Sequence, residues 1–183
     1  MSQITKKAIA ASLKNLMLTR SLDNITVTEV SDETGINRQT FYYHFKDIYD
    51  LVEWIYKEEA LNSISSFKTY ETWQEGYLKI FNYVYLNKEF TLKCYNSRGK
   101  DLLESFLFNA TFNLLRDVVD EVLNERSVLD SVVDFISRFY SYGFIGIVIE
   151  WIKKDCVDDP KVLIEELNTL IEGDIEKAIL KYL

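Results

Sequence analysis

Apolar residues recur at helical spacing along most of the 183-residue chain. Ile9, Leu13 and Leu16 fall on one helical face and stop before Ser21-Leu22-Asp23-Asn24, which predicts an amphipathic helix followed by a loop. Thr26-Val27-Thr28-Glu29 fits a capping box, in which the Thr26 hydroxyl accepts from the Glu29 amide and the Glu29 carboxylate reaches back. The helix it starts is short, because Gly35 tolerates the left-handed conformation that ends a helix. Asn37 caps a further short helix carrying Thr40-Phe41-Tyr42-Tyr43-His44-Phe45, and Asp47 caps a fourth through Leu51, Trp54 and Ile55. Beyond these, Trp73, Tyr77, Ile80 and Val84 form one stripe, and Leu107, Ala110, Leu114, Val118 and Val122 a longer one. Asn96-Ser97-Arg98-Gly99 signals a turn. Phe135, Phe139, Tyr142 and Gly146 begin a helix that is apolar almost all round by Ile152. Pro160 suits the first turn of a last helix with Ile164, Leu167, Ile171, Ile175, Ala178 and Tyr182. Ile147-Val148-Ile149 is β-branched, but its flanks are helical. The expectation is an all-α chain of about nine helices.

Two short helices joined by a tight turn at Gly35 meet the requirement of a helix-turn-helix. Val30, Ile36, Phe41 and Phe45 have the spacing to pack against each other and against Ile9 and Leu13. That leaves Asn37, Arg38, Gln39, Thr40, Tyr42, Tyr43 and His44 as an exposed face of hydrogen-bonding and stacking side chains. Arg bonds guanine O6/N7 and Gln bonds adenine N6/N7 in bidentate fashion, so such a face can read base edges in a major groove. Free amides at helix starts hold phosphates, which suits Thr26 to Thr28 and the start of the fourth helix at Lys46.

Composition first argues the other way. The chain holds 21 Lys+Arg against 29 Asp+Glu, a net charge of −8, and an acidic protein repels a polyanion. The charge is unevenly placed. Residues 1–46 carry six basic and four acidic side chains, a balance of +2, leaving 15 basic and 25 acidic on residues 47–183, a balance of −10. A DNA reader need be positive only where it touches.

One histidine and two distant cysteines, Cys94 and Cys156, offer no metal-ligand cluster and no disulfide framework. No nucleophile elbow or phosphate loop is present, so neither catalytic residues, metal nor cofactor are expected. Met1 to Met17 lacks a signal-peptide pattern. The most apolar run, Phe144 to Ile152, is nine residues long and contains Glu150, against the roughly 20 that a bilayer span needs. A cytoplasmic chain with no membrane partner is expected.

The segment from Thr26 to Asp47 resembles the DNA-binding signature of the TetR family, in the turn glycine, the Thr40-Phe41-Tyr42 run, Phe45 and Lys46. The resemblance implies a homodimer on double-stranded operator DNA. It assigns base contacts to Arg38, Gln39 and Tyr43, with Asn37 at the head of the helix. It assigns phosphate contacts to Thr28, Thr40, Tyr42, His44 and Lys46. Many members carry a small residue where Gln39 stands, which suggests that Gln39 adds base readout. The implied division is a DNA-binding domain, residues 1–46, and a regulatory and dimerisation domain, residues 47–183.

In the larger part, Trp73, Tyr77, Phe81, Phe106, Phe112 and Tyr142 read either as ordinary core or as the lining of a ligand or partner pocket. Gly143 and Gly146 put two small residues on one helix face. With Ile164, Leu167, Ile171 and Ile175 of the last helix they read as a four-helix dimer interface or as intramolecular packing. Tyr140 to Ile152 followed by Pro160, together with Leu86-Asn87-Lys88-Glu89-Phe90 and Arg98-Gly99, is similar to a narrower group, the TetR-like regulators of dihydroxyacetone kinase operons. A glycine usual in that group is replaced near Asp155. This likeness implies an activator signalled through a kinase-like coactivator that binds dihydroxyacetone. The other expectation is a repressor released from its operator by a small apolar ligand.

Overall fold

The computed structural model describes residues 2–61, 69, 72–124, 126 and 128–183, and among these it is all-α with no strand. The helices are α1 (Ser2–Met17), α2 (Val27–Thr34), α3 (Arg38–His44), α4 (Ile48–Tyr56), α5 (Trp73–Leu86), α6 (Lys88–Tyr95), α7 (Lys100–Leu123), α8 (Asp130–Lys153), α9 (Pro160–Ile171) and α10 (Asp174–Leu180). A 3-10 turn, Leu22–Asn24, precedes α2, and a π turn, Lys57–Leu61, follows α4. The last stripe, expected as one helix, is broken: Gly173 takes φ 72° and separates α9 from α10.

The chain divides into two compact units, Met1–Glu59 with Asn87–Phe106, and Ala60–Leu86 with Leu107–Leu183. The first is built around Ile9, Leu13 and Met17 of α1, all fully buried, with Val30, Phe41, Leu51, Val52 and Ile55. Met17 rather than Leu16 completes the buried face of α1. Residues 87–106 are part of this core. The Tyr56 ring stacks on Phe106 at 4.8 Å and tilts against Phe90 at 5.4 Å. Lys14 donates to Asn87 Oδ1 at 2.8 Å, pairs with Glu59, and lies 5.3 Å over the Phe90 ring. The turn before α7 reaches the 3-10 turn. Asp23 Oδ1 accepts from the Arg98 amide at 3.1 Å and from the Tyr49 hydroxyl at 2.9 Å. A Cβ on Gly99 would stand 2.7 Å from Leu22 Cδ2, so any larger residue there makes the buried Leu22 side chain shift.

The second unit packs α5, most of α7, and α8 to α10. Trp73, Tyr77, Ile80, Phe81 and Val84 of α5 are buried. Tyr77 meets Phe81 at 5.3 Å and Phe144 at 4.9 Å, and Phe81 meets Trp151 at 4.9 Å, all edge to face. The Tyr77 hydroxyl donates to the Phe144 carbonyl at 2.7 Å. At 24 residues, α8 is by length and composition long and apolar enough to cross a bilayer, unlike the short run read from the sequence. In this fold its Val133, Ile136, Phe144, Val148, Trp151 and Ile152 are core residues. Asp155 (φ 61°) and Cys156 (φ 54°) turn the chain from α8 into α9, so the left-handed backbone that favours glycine is met here by other residues.

Candidate DNA-binding site

The helix-turn-helix is assembled by local chemistry. Thr26 Oγ1 accepts from the Glu29 amide at 3.3 Å, and Glu29 Oε2 accepts from the Thr26 amide at 2.9 Å and its hydroxyl at 2.7 Å. Both halves of the capping box are present, a device worth about 1 kcal/mol of helix stability. Gly35 ends α2 at φ 75°, with its amide on the Asp32 carbonyl at 3.2 Å and the Ile36 amide on the Ser31 carbonyl at 3.0 Å. Asn37 Oδ1 then caps α3, accepting from the Thr40 amide at 2.7 Å and from its hydroxyl at 3.0 Å. Asp47 caps α4 through the Asp50 amide at 2.9 Å.

Val30, Phe41 and Phe45 pin the motif to the core, while Ile36 is half-buried. The opposite face of α3 is open. Arg38 and Gln39 are exposed, Tyr42 is 57% exposed and Tyr43 is 82% exposed. Tyr42 meets the buried Phe41 ring edge to face at 5.8 Å, and most of both tyrosines is left to solvent. Arg38 Nη1 lies 3.5 Å from Thr28 Oγ1, which brings the head of α3 beside the first turn of α2. The His44 ring, half-buried, meets Tyr43 edge to face at 4.9 Å. Lys46 is exposed, and its amide donates to Asp50 Oδ2 at 2.8 Å. Asn37 and Thr40 sit at the right end of α3, but the Asn37 carbonyl oxygen and the Thr40 proton are committed to each other. What they offer a duplex is the Asn37 amide nitrogen and backbone position.

Two cations near the motif were not singled out from the sequence. Lys6 lies over the Phe45 and Trp54 rings at 5.5 and 5.7 Å. Arg20 donates to Glu29 Oε1 at 2.5 Å and to the Asn24 carbonyl at 2.5 Å. The Lys6 contacts and the Arg20–Glu29 pair follow no helical spacing, so periodicity gave no signal for them.

The residues considered for a ligand or partner pocket do not gather into one site. Trp73, Tyr77 and Phe81 are filled core, held ring against ring. Phe106 stacks on Tyr56 in the first unit. Phe112 is half-buried and Tyr142 is 63% exposed, both beside Phe108. The dimerisation set also divides. Ile164, Leu167, Ile171 and Ile175 are buried within the protomer, because that face of α9 and α10 packs on α5 and α8. Gly143 and Gly146 are exposed, and a Cβ at either would meet nothing within 4 Å. Around them Phe135, Phe139 and Tyr142 of α8 and Leu170 of α9 are open to solvent. A groove of about 580 Å³ runs between the two helices, lined by Phe139, Tyr142, Gly143, Ile147 and Leu170 among others.

A capped helix-turn-helix with a polar reading face, joined to a helical unit with an exposed apolar stripe, defines a DNA-binding regulator. The comparisons agree: residues 9–55 match the bacterial regulatory proteins of the tetR family, residues 71–173 match a transcriptional regulator C-terminal region, and the chain belongs to the tetR family. It is a transcription regulator and not an enzyme. Among curated proteins it is 32% identical over 151 residues, 81% of this chain and 80% of the relative, to the HTH-type dhaKLM operon transcriptional activator DhaS of Lactococcus lactis subsp. lactis (strain IL1403). Among solved structures it is similar in fold to the dihydroxyacetone kinase operon activator DhaS, with TM-score 0.71 and 24% identity over 96% of this chain and 98% of that one. The fatty acid degradation regulator FadR from Bacillus halodurans shares the fold at TM-score 0.68 and 15% identity, covering 94% of this chain and 97% of that one.

Proposed function

We propose that the protein is a homodimeric, sequence-specific regulator that activates a dihydroxyacetone kinase operon in the cytoplasm. In this reading, residues 1–46 read the operator. Residues 47–183 dimerise and receive the signal from a kinase-like protein that binds dihydroxyacetone. The observation that carries the DNA-reading part is the open face of α3, with Arg38, Gln39 and Tyr43 presented and Thr28 beside them. Bases fall to those three and the Asn37 amide, and phosphates to Thr28, Tyr42, His44 and Lys46, with Thr40 joining them by turning its hydroxyl proton from Asn37 to the duplex. The exposed stripe of α8, with Leu170, supports pairing of two copies, which places two recognition helices in successive major grooves about 34–36 Å apart.

The operon and the partner rest on the 32% identity to the dhaKLM activator. The filled aromatic core around Tyr77 favours a protein signal over a small apolar ligand held there. A footprint on the promoter of a neighbouring dihydroxyacetone kinase operon tests the first point. Calorimetry with dihydroxyacetone, with and without the candidate coactivator, tests the second. Protection of one pseudo-palindromic site, and heat only when the coactivator is present, is the expected result. Tight binding of dihydroxyacetone to this protein alone would overturn the partner. Release from the operator by a small apolar compound would replace activation with repression.

A further inference from the structure

The start of α2 is an awkward place for DNA. A phosphate is drawn there by the free amides and by Thr28, yet Val27–Thr34 carries Glu29, Asp32 and Glu33 and no basic residue. Glu29 stands in the first turn, immediately after Thr28. The Arg20 guanidinium, together with the Thr26 hydroxyl and amide, holds its carboxyl down at about 2, so it does not lose its charge by protonation at neutral pH. Asn15, a neutral donor, bonds Glu33 at 2.6 Å. Among the described ion pairs, the cation that reaches α2 is Arg20, from beyond the end of α1.

Arg20 occupies both sides of the junction. One nitrogen takes Glu29 Oε1 and the other takes the Asn24 carbonyl, each at 2.5 Å, so a single planar group ties the 3-10 turn to the first turn of α2. Both side chains remain partly exposed, 38% for Arg20 and 35% for Glu29, so the carboxylate's field reaches solvent and whatever docks there. Arg38 has its guanidinium on Thr28, one residue before Glu29. An unmasked carboxylate at that point repels the phosphate and draws Arg38 away from a base.

We propose that Arg20 is a positioning residue for operator binding: it masks the charge of Glu29 so that the start of α2 can receive a phosphate. It acts through Glu29 and does not itself touch the DNA. The inference rests on the DNA-reading function above.

The test is a charge cycle in the full-length protein. The variants are Arg20→Gln, Glu29→Gln, both together, and Arg20→Lys. Binding is measured by fluorescence anisotropy on a duplex carrying the sequence upstream of this gene, and on a random duplex of equal length, over a range of salt. Glutamine at position 29 keeps the capping box, since an amide completes it as well. R20Q is expected to weaken binding about tenfold at 0.1 M salt on both duplexes, the size of one unmasked charge near a surface phosphate. E29Q alone stays within about threefold of the parent, and R20K keeps most of the affinity, because the masking is electrostatic. The double variant has the parent's net charge and returns to within about threefold of it, with the parent's salt slope.

A double variant as weak as R20Q, with the slope reduced by about 0.9, makes Arg20 a direct phosphate contact and overturns the proposal. R20K as weak as R20Q assigns the loss to the fork geometry and overturns the charge role. If thermal melts show R20Q unfolded, E29Q and R20K decide: weak binding by either one sinks the idea. Failure of the parent protein to bind the promoter duplex at low salt would instead remove the DNA-reading function itself.

Discussion

Gly143 and Gly146 sit in the middle of a 24-residue helix, where glycine is a poor choice. Alanine in a helix interior is favoured over glycine by about 1 kcal/mol, and here a Cβ at either position meets nothing within 4 Å. Replacing both by alanine should therefore stabilise the isolated protomer by about 2 kcal/mol. If the glycines lie where two copies of α8 cross, the same methyl groups are added twice over a two-fold axis and must be accommodated between close-packed helices. Overpacking of that kind costs roughly 1–3 kcal/mol, which raises the dimer dissociation constant roughly 5- to 150-fold. The two effects have opposite signs and separate with concentration, because dimerisation stabilises by mass action. Sedimentation gives the dissociation constant of G143A/G146A, and thermal melts over a wide range of protein concentration give the protomer term at the dilute end. The reasoning fails if the variant dimerises as tightly as the parent while its dilute melts rise, since that leaves the glycines outside any interface. It also fails if the dilute melts fall, since the open space around both positions then does not govern their cost.

Other outcomes follow from single sites. Arg38→Ala should weaken binding to the cognate operator by roughly 1–3 kcal/mol, the worth of a bidentate base contact, with little change on random duplex; equal loss on both in an anisotropy titration would make it a phosphate contact. Asp155 holds a left-handed backbone at φ 61° on an exposed turn, so Asp155→Gly should raise stability by up to about 1 kcal/mol, read as a higher thermal midpoint. Burial pushes the Cys94 thiol from 9.0 up to about 12, so it stays protonated in the native protein after the unfolded chain has begun to ionise. Its contribution is complete below pH 9 and is lost as pH rises towards 12. Cys94→Ala should flatten that alkaline decline in denaturant titrations.

The DNA-reading half was legible because its signals are local. A capping box, a turn glycine and an Asn cap each act within four residues, and each makes the bond its sequence implies. The second unit was legible as helices but not as faces. Phe135, Phe139 and Tyr142 share a stripe as regular as that of Ile164, Leu167 and Ile171, yet the first is open and the second is buried. Periodicity reports that a face is apolar and is silent on whether the chain's own helices or another copy cover it. The break at Gly173 was hidden because the apolar spacing continues across it. The Asp23–Arg98 bond spans 75 residues, and no spacing rule reaches that far. That bond, with Gly99 against Leu22, is why compactness groups residues 87–106 with the head, although the functional reading divides the chain at residue 46.

The ring pairs between α5 and α8, Tyr77 with Phe144 and Phe81 with Trp151, act as keys in slots. A cylinder with apolar side chains on nearly every side has little to choose between one roll angle and another, since each buries similar amounts of oil-like surface. The carbonyl that takes the Tyr77 proton is repeated at every residue of α8, whereas the rings are not. Turning α8 by one residue, about 100°, brings another carbonyl under the phenol but carries the Phe144 and Trp151 rings away from their partners. Two rings on α5 thus select which of several greasy faces of α8 the protein shows to the outside.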